Sequence, residues 1–233
     1  MVQTPIDAWS KIVVIDFETT GLKAGYQPVS IAILELSDDL QELARYVSLL
    51  NPGIPIDRRA SEIHGIIIDD VIDEPSLDIY LRVILSDRYR DQRLLVIGHN
   101  VEYDLQLFRP YCGTITELCT KRLAEALFPN LRSFSLDSVS DFLGIPATNR
   151  HSAIADAVLT HKAVIEMVDR SRMSLNELVA AQFVISGDSP MRFGKHKGLP
   201  IKDLPFDYVQ WLIRKLEPKD HRLREALRQV HGI

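Results

Sequence analysis

An uninterrupted apolar run at residues 12–15 ends directly at two carboxylates, Asp16 and Glu18. Four consecutive apolar residues are typical of a strand that is buried on both faces, so the run predicts a central strand of a covered sheet. Because residues i and i+2 of a strand point to the same face, the two carboxylates lie side by side at the edge of the core. Unpaired carboxylates are unfavourable there, and a bound divalent cation would neutralise them. The alternative is an ordinary solvated strand end.

The apolar pattern of the following residues predicts an α/β fold. Residues 29–36 and 43–50 are rich in branched apolar residues and indicate two strands next to the first. Residues 94–97 indicate another buried strand. Helical patterns cover residues 58–64, 76–89, 101–111, 116–127, 135–143, 152–168 and 174–183. We therefore expect a mixed sheet flanked by helices.

Composition predicts an ordinary soluble chain with one full-sized core and a small appendage, since 46% of the 233 residues are hydrophobic and 25% are charged. The N-terminal residues lack the basic start and long apolar run of a signal peptide, and no later run approaches membrane-spanning length. A cytoplasmic location without membrane contact is therefore expected. The two cysteines, Cys112 and Cys119, lack the spacing of a disulfide framework or a zinc site, and we expect buried thiols.

The net charge of −5 hides a basic C-terminal segment. Residues 188–233 contain ten lysines and arginines against six acidic residues, whereas residues 1–187 contain 17 against 26. We accordingly predict a main domain at residues 1–185 and a small basic C-terminal module at residues 186–233 that docks on the main domain or on a partner. Within the module the sequence predicts a linker at 186–190, a hairpin turning at 194–198 and helices at 205–216 and 218–230.

Two further acidic residues follow elements of the predicted sheet. Asp104 lies just past the strand at 94–97, four residues into a helix that Asn100 is expected to cap. The carboxyl end of a strand is where α/β sheets usually carry sites, although the helix dipole alone would also favour an acid in the first turn. Asp156 stands among apolar residues of a long helix and therefore needs a partner. His151 precedes that helix, either as a catalytic group or as an ordinary surface residue.

These acidic residues come from separate elements around one sheet edge, and every ligand that they offer is a hard oxygen. Such ligands select Mg²⁺ or Mn²⁺ over zinc. Two such ions about 4 Å apart form the recurrent site for in-line attack of water on a phosphodiester, and a nearby histidine can act as the base. The sequence thus predicts two Mg²⁺ (or Mn²⁺) ions at these acids, with His151 as the base.

Three segments that carry these residues resemble the exonuclease motifs of the DEDD superfamily, histidine-containing (DEDDh) branch. They are Asp16-Phe-Glu-Thr-Thr-Gly21, His99-Asn-Val-Glu-Tyr-Asp104 and His151-Ser-Ala-Ile-Ala-Asp156, in the family's order and at its separations. The segment Ile63-His-Gly-Ile66 is similar to the one that touches the terminal nucleotide in these enzymes. The resemblance covers roughly residues 10–170 and implies a ribonuclease-H-like fold with 3′–5′ exonuclease activity.

The resemblance implies a role for each of these positions. Asp16 would bridge two metal ions. Glu18 and Asp156 would hold the ion that activates the nucleophile, and Asp104 would support the other. His151 would take the proton from the attacking water. The residues expected to bind the substrate end are Thr19, Leu22, which would wedge between the last two bases, His64 and Asn100.

The C-terminal segment resembles the small module of exodeoxyribonuclease X-like proteins. The similar stretches are Phe193-Gly-Lys-His-Lys-Gly198, Asp203-Leu-Pro205 and Tyr208-Val-Gln-Trp-Leu212. A glycine-flanked loop with Lys195 and Lys197 offers the cations and unhindered amides that phosphate binding requires. The alternative is a solvated hairpin tip, with Tyr208 and Trp211 filling a small core.

We therefore predict a 3′–5′ exodeoxyribonuclease that releases 5′-mononucleotides from DNA, with single-stranded ends preferred. Within the enzyme class, an RNA-trimming or oligoribonucleotide exonuclease and a polymerase-associated proofreader remain alternatives, because sugar choice depends on contacts to one 2′-hydroxyl that no residue type reveals. The alternative from another class is a catalytically silent module that binds nucleic acid.

Overall fold

A sheet of five strands lies at the centre of the fold in the computed structural model, which describes residues 9–22, 24–146, 151–217 and 220–233. The strands are β1 (Lys11–Thr19), β2 (Pro28–Leu36), β3 (Glu42–Leu49), β4 (Arg93–Gly98) and β5 (Thr114–Cys119). Across the sheet they lie in the order β3-β2-β1-β4-β5. β1, β2 and β3 pair antiparallel, whereas β4 runs parallel to β1 and β5 parallel to β4. The predicted mixed sheet with three adjacent first strands is confirmed.

Alternate residues of β1 belong to two separate cores, which explains why residues 12–15 are apolar throughout. Val13 and Ile15 pack on one face of the sheet, against side chains from residues 77–108. Ile12 and Val14 pack on the other face, against helices of the second half of the chain. Because both faces are covered, residues 12–15 of this strand are all buried.

The chain forms ten α-helices in its described part. They are α1 (Arg58–His64), α2 (Ile68–Val71), α3 (Leu77–Ile79), α4 (Glu102–Phe108), α5 (Thr120–Leu127), α6 (Leu136–Leu143), α7 (Ala153–Ser171), α8 (Leu175–Ala181), α9 (Phe206–Lys215) and α10 (His221–His231). Of these, α7 on one face and α4 on the other pack on the sheet. The 19-residue α7 packs across β1 and β2, and this contact sets its first turn against the end of β1. In the described part of the chain, no helix has both the length and the apolar character that crossing a membrane would need.

Two predicted helices differ from the structure. The helix predicted at 116–127 begins only at α5, because the residues before it pair with β4 as a parallel strand, and this tertiary pairing outweighs the local pattern. The helix predicted at 76–89 is a regular α-helix only over α3 and then widens over Tyr80–Ile84. Ser86 and Asp87 have positive φ angles and turn the chain, so that Tyr89 enters the core rather than extending the helix.

The cysteines are both free, as predicted. Cys119 is buried at the end of β5, whereas Cys112 is partly buried. Burial raises the pKa of the Cys112 thiol to about 12, so it stays protonated at neutral pH.

The C-terminal segment has a small core of its own. Its buried members are Met191, Ile201, Leu204, Val209, Leu212, Leu216 and Leu227. The predicted hairpin is present but short: three backbone hydrogen bonds join residues 189–191 to residues 198–201, around an antiparallel bridge between Pro190 and Pro200. Of the last predicted helix, residues 218–219 lie outside the described residues, and α10 begins at His221.

Side-chain contacts join the C-terminal segment to α5. Arg192 Nη2 lies 2.7 Å from Glu125 Oε2, whose side chain is only 11% exposed. The Arg222 guanidinium lies 4.0 Å from the centre of the Phe183 ring, and Arg122 of α5 lies 5.2 Å from the same ring. Separating a cation from a mostly buried carboxylate is unfavourable, so these contacts hold the segment against the rest of the protein.

Candidate metal centre

Three carboxylates converge at the end of β1. Asp16 and Glu18 stand two residues apart on that strand, and Asp156 lies in the first turn of α7. Each offers an oxygen atom, and these atoms all lie within 4.8 Å of one another. α7 begins here because Ser152 caps it, its Oγ accepting a hydrogen bond from the Ala155 N–H at 3.3 Å. We call Asp16, Glu18 and Asp156 the acidic trio.

The chemistry of the acidic trio fits a divalent cation. Carboxylates at this spacing repel one another, and Asp156 is only 9% exposed, so water screens its charge poorly. A cation would convert this repulsion into attraction. All the ligand atoms are hard oxygens, which suit Mg²⁺ or Mn²⁺ better than zinc.

Asp104 lies beside the acidic trio, on α4, and is 8% exposed. Its carboxylate accepts hydrogen bonds from the backbone N–H of Phe17 and from its own N–H. The pairing of β1 with β4 ends at Val14 and Ile97, so Asp104 takes the place of a strand partner for Phe17. Burial, together with the negative charge of Glu18, raises the pKa of Asp104 to about 8, although the hydrogen bonds act in the opposite direction.

The raised pKa of Asp104 makes the stability of the metal-free protein fall with pH. The unfolded carboxyl ionises near 3.8 and the folded one near 8, so folding stability is lost progressively between these values. We expect Asp104→Asn to raise the Tm of the metal-free protein, and to raise it more at about pH 8 than at about pH 5.5. Melting curves in a chelator measure both differences. A Tm gain that did not grow with pH would contradict the raised pKa.

His151 stands two residues before the first residue of α7. Its side chain is exposed, and its backbone φ is +65°. This left-handed conformation costs a non-glycine residue about 1–2 kcal/mol. Its ring does not join the acidic trio: no group of three close ligands in the described part of the chain includes it. The structure thus brings His151 to the helix start that carries Asp156, without seating it among the carboxylates.

Both ring nitrogens of His64 contact the backbone. Nδ1 accepts a hydrogen bond from the Ile66 N–H at 3.0 Å, so the neutral ring carries its proton on Nε2, which donates to the Thr19 carbonyl at 3.2 Å. Burial lowers the pKa of His64 and favours this neutral form, although the bond to Thr19 opposes the shift. His64 therefore links α1 to the turn that follows β1.

The turn after β1 presents an exposed leucine next to the carboxylates. Leu22 is 88% exposed and lines a pocket of about 320 Å³ together with Asp16, Asp104 and Thr19. The Thr19 hydroxyl donates a hydrogen bond to the Gly21 carbonyl at 3.1 Å, which holds the turn. The backbone is thus fixed while the leucine side chain projects into solvent.

Asn100 does not cap α4, contrary to the prediction. An N-cap residue needs an extended backbone, whereas Asn100 is left-handed with φ +63°, and the N-cap position falls on Val101 without a side-chain cap. The Asn100 amide oxygen instead accepts a hydrogen bond from Lys121 Nζ at 3.4 Å. Asn100 lines the pocket of Leu22 and also the larger cleft described next.

A cleft of about 1120 Å³ joins the carboxylates to the C-terminal segment. Asp16 and Asp156 line it, and so do the loop at residues 129–136 and Lys197. Lys197 therefore faces the same space as two of the acidic trio. Lys195 is exposed on the same turn but does not line the cleft.

Some residues of this cleft lie outside the predicted set. His99 holds the loop at 129–136, because its Nε2 donates to the Phe134 carbonyl at 3.0 Å while its Nδ1 lies 2.9 Å from Thr120 Oγ1. The sequence feature that could have identified His99 is its position at the start of the second motif, His99-Asn-Val-Glu-Tyr-Asp104. No local pattern marks the other cations of the cleft, which are Lys121, Arg122, Arg132 and Arg192.

Comparison with known proteins identifies the family. The model of the family described as Exonuclease (RNase_T) matches residues 13–164. Residues 182–233 match a second family model, described as "Putative quorum-sensing-regulated virulence factor".

Individual relatives agree with the first match. Exodeoxyribonuclease 10 of Escherichia coli (strain K12) is 25% identical over 224 residues, which cover 92% of this chain and 96% of that protein. DNA polymerase III PolC-type of Thermotoga petrophila is 30% identical over 165 residues, which cover 67% of this chain but only 12% of that much longer protein.

A solved structure shares the fold. Exonuclease X in complex with 5′ overhanging duplex DNA matches with a TM-score of 0.60 at 22% identity, covering 73% of this chain and 99% of that one. The predicted ribonuclease-H-like arrangement of a mixed sheet flanked by helices is thereby confirmed. The chain belongs to the Exonuclease family, as the three motifs of the DEDD type predicted.

Proposed function

We propose that this protein is a metal-dependent 3′–5′ exodeoxyribonuclease that releases 5′-mononucleotides and prefers single-stranded ends. The observation that carries the proposal is the acidic trio, with Asp104 beside it and an open cleft leading from it. The similarity to Exodeoxyribonuclease 10 supports the choice of DNA, because it extends over 92% of this chain.

Exonucleases of the DEDD type depend on metal, and this site offers the ligands for it. Asp16, Glu18, Asp104 and Asp156 would hold two Mg²⁺ or Mn²⁺ ions. When bound, such ions lower the pKa of the attacking water and stabilise the leaving oxygen.

His151 would accept the proton of the attacking water at a ring nitrogen. A ring nitrogen of a neutral imidazole can take up a proton in the transition state, which is the role of a general base. Exposure leaves the ring of His151 free to reach over the helix start. Its left-handed backbone is a local strain of the kind that persists at functional sites.

The turn after β1 would bind the 3′-terminal nucleotide. Leu22 offers an apolar tip, 88% exposed, that can insert between the last two bases, and such stacking tolerates any sequence. Thr19 lies in the same pocket, and His64 acts by holding the Thr19 carbonyl. Asn100 would contact the substrate where the pocket meets the cleft.

The basic loop of the C-terminal segment would contact phosphates of the strand on its way to the acidic trio. Lys197 lines the cleft and would do so inside it, whereas Lys195 would meet the strand outside. In this proposal, residues 1–185 hydrolyse the nucleic acid and residues 186–233 help to bind it.

A polymerase-associated proofreader is a second candidate. It is favoured by the 30% identity to DNA polymerase III PolC-type over 165 residues. A proofreader removes a mismatched 3′ end from a duplex faster than a matched one. An exonuclease that prefers single-stranded ends shares this preference, because a mismatched end is partly unpaired. The two candidates are instead separated by adding a replicative DNA polymerase, which should raise the rate on the mismatched duplex only for a proofreader.

Digestion of matched single-stranded DNA and RNA, each labelled at the 5′ end, tests the proposal. In Mg²⁺ we expect the DNA to yield a ladder of labelled fragments that shorten from the 3′ end, with 5′-mononucleotides released, and the RNA to be cut more slowly. A chelator should abolish the ladder, and added Mg²⁺ should restore it. Activity that survives chelation would contradict the metal centre. Tight, salt-sensitive binding without cleavage would instead identify a silent binding module.

A further inference from the structure

Three aromatic rings follow one another in contact on the C-terminal segment. The His196 and Tyr208 rings lie 4.5 Å apart between centres in an edge-to-face arrangement. The Tyr208 and Trp211 rings lie 5.6 Å apart and are nearly parallel, with 29° between their planes. We call these three residues the aromatic ladder.

Trp211, the outer ring of the aromatic ladder, is exposed. Tyr208 and Trp211 are three residues apart on α9 and so share one face of the helix, while Val209 and Leu212 on the other face enter the small core. Tyr208 packs partly against that core, but Trp211 does not and remains 48% exposed. The alternative in which Tyr208 and Trp211 fill the small core therefore holds in part for Tyr208 but not for Trp211, which the helix turns outward.

His196, the inner ring of the aromatic ladder, lies next to a residue that lines the cleft of the acidic trio. His196 lies between Lys195 and Lys197 on the glycine-flanked turn, and Lys197 lines that cleft together with Asp16. The turn is pressed against the ladder: a Cβ on Gly194 would lie only 2.6 Å from the Tyr208 hydroxyl. The aromatic ladder thus begins at His196, one residue from the cleft-lining Lys197, and continues over the outer surface.

The charges around the aromatic ladder suit a polyanion. Lys195 and Lys197 flank the inner ring, and Lys215 lies four residues after Trp211, so it shares the helix face of the outer ring. Asp207 is the acidic neighbour on the same helix, four residues before Trp211. Aromatic faces interleaved with lysines are the usual composition of surfaces that bind single-stranded nucleic acid.

We propose that the aromatic ladder stacks unpaired bases of a single-stranded DNA whose 3′ end lies at the acidic trio. This inference rests on the proposed exonuclease function and adds the path of the strand's 5′ portion, from Lys197 over His196 and Tyr208 to Trp211. Stacking on aromatic faces does not discriminate between bases, so the grip would serve any sequence.

The fluorescence of Trp211 tests the aromatic ladder directly. The chain contains two tryptophans, so Trp9→Phe leaves Trp211 as the single reporter. In a chelator, which prevents hydrolysis, we expect oligo(dT) of about 12 nucleotides to quench this fluorescence. An abasic oligomer with the same number of phosphates should quench it far less. Equal quenching by both oligomers, or none by either, would overturn the inference.

Binding by variants supplies the second measurement. Trp211→Ala should weaken binding of the same oligo(dT) about tenfold, because one stacked base contributes on this order, and should change the abasic oligomer little. The matched control is Phe206→Ala, which removes an aromatic ring of similar exposure (53% against 48%) from the same helix but outside the ladder. Equal losses in the two variants would overturn the inference.

The same preparations separate this inference from the proposed function. Release of mononucleotides by the Trp9→Phe protein in Mg²⁺ reports the acidic trio alone. Release without quenching would reject the aromatic ladder and keep the exonuclease. Quenching without release would reject the exonuclease and keep a surface that binds single strands.

Discussion

Asp16→Ala is expected to lower the rate of mononucleotide release at least about a thousandfold, since a shared metal ligand supports several kcal/mol of transition-state stabilisation. Asp16 lies within 4.8 Å of both other members of the acidic trio, and it lines both the pocket of Leu22 and the cleft. It is therefore the carboxylate whose loss disturbs most of the site. Initial rates on 5′-labelled single-stranded DNA at saturating Mg²⁺ measure the effect.

The control for Asp16 is Asp38→Ala, which removes an exposed carboxylate from the turn between β2 and β3. It should leave the rate unchanged. Melting curves of the metal-free Asp16→Ala protein and its parent check that lost activity does not reflect lost folding. Near-normal turnover by a folded Asp16→Ala protein would remove the acidic trio from the mechanism.

His151→Ala is expected to lower the rate about a hundredfold or more, which is the typical contribution of a general base. Hydroxide replaces the missing base as the pH rises, so the variant should recover part of its rate at higher pH. Since His151 is exposed, its removal should cost little stability. The pH–rate profiles of both proteins, measured between about pH 6 and 9.5, give the comparison.

Added imidazole distinguishes a base from a structural residue at this position. A soluble base should raise the rate of His151→Ala and leave the parent protein unaffected. If the variant kept the parent's pH profile and ignored imidazole, His151 would not be the base. The lower rate of the variant would then result from a changed backbone at the start of α7, where His151 has a left-handed conformation.

The central layers of the fold were predictable because burial leaves a simple pattern. A strand covered on both faces must be apolar at every position, and residues 12–15 and 94–97 show this directly. β5 was missed because it ends in Glu117, Leu118 and Cys119, which read equally well as the start of α5. Its assignment depends on pairing with β4, a contact that no short window of sequence contains.

The sequence showed which residues belong to the site more clearly than it showed what each of them contacts. The motif that contains His64 indicated a residue near the substrate end, but its two backbone partners, Thr19 and Ile66, are visible only in the folded chain. Asn100 was expected to cap α4 because of its residue type. The chain, however, needs a left-handed turn to pass from β4 into α4, and asparagine accepts that conformation more readily than most residues.

The sequence by itself determined which residues could form a metal centre. Carboxylates beside buried apolar segments need a cationic partner, and these carboxylates also stand in the order of the family's motifs. It also marked the C-terminal segment as basic. Only the tertiary structure decided that Lys197 shares a cleft with Asp16 and that Trp211 faces outward. The shared cleft depends on how the C-terminal segment docks on the rest of the protein, through contacts such as Arg192 with Glu125, which lie 67 positions apart in the sequence and leave no periodic pattern. The position of Trp211 depends on which face of α9 enters the small core.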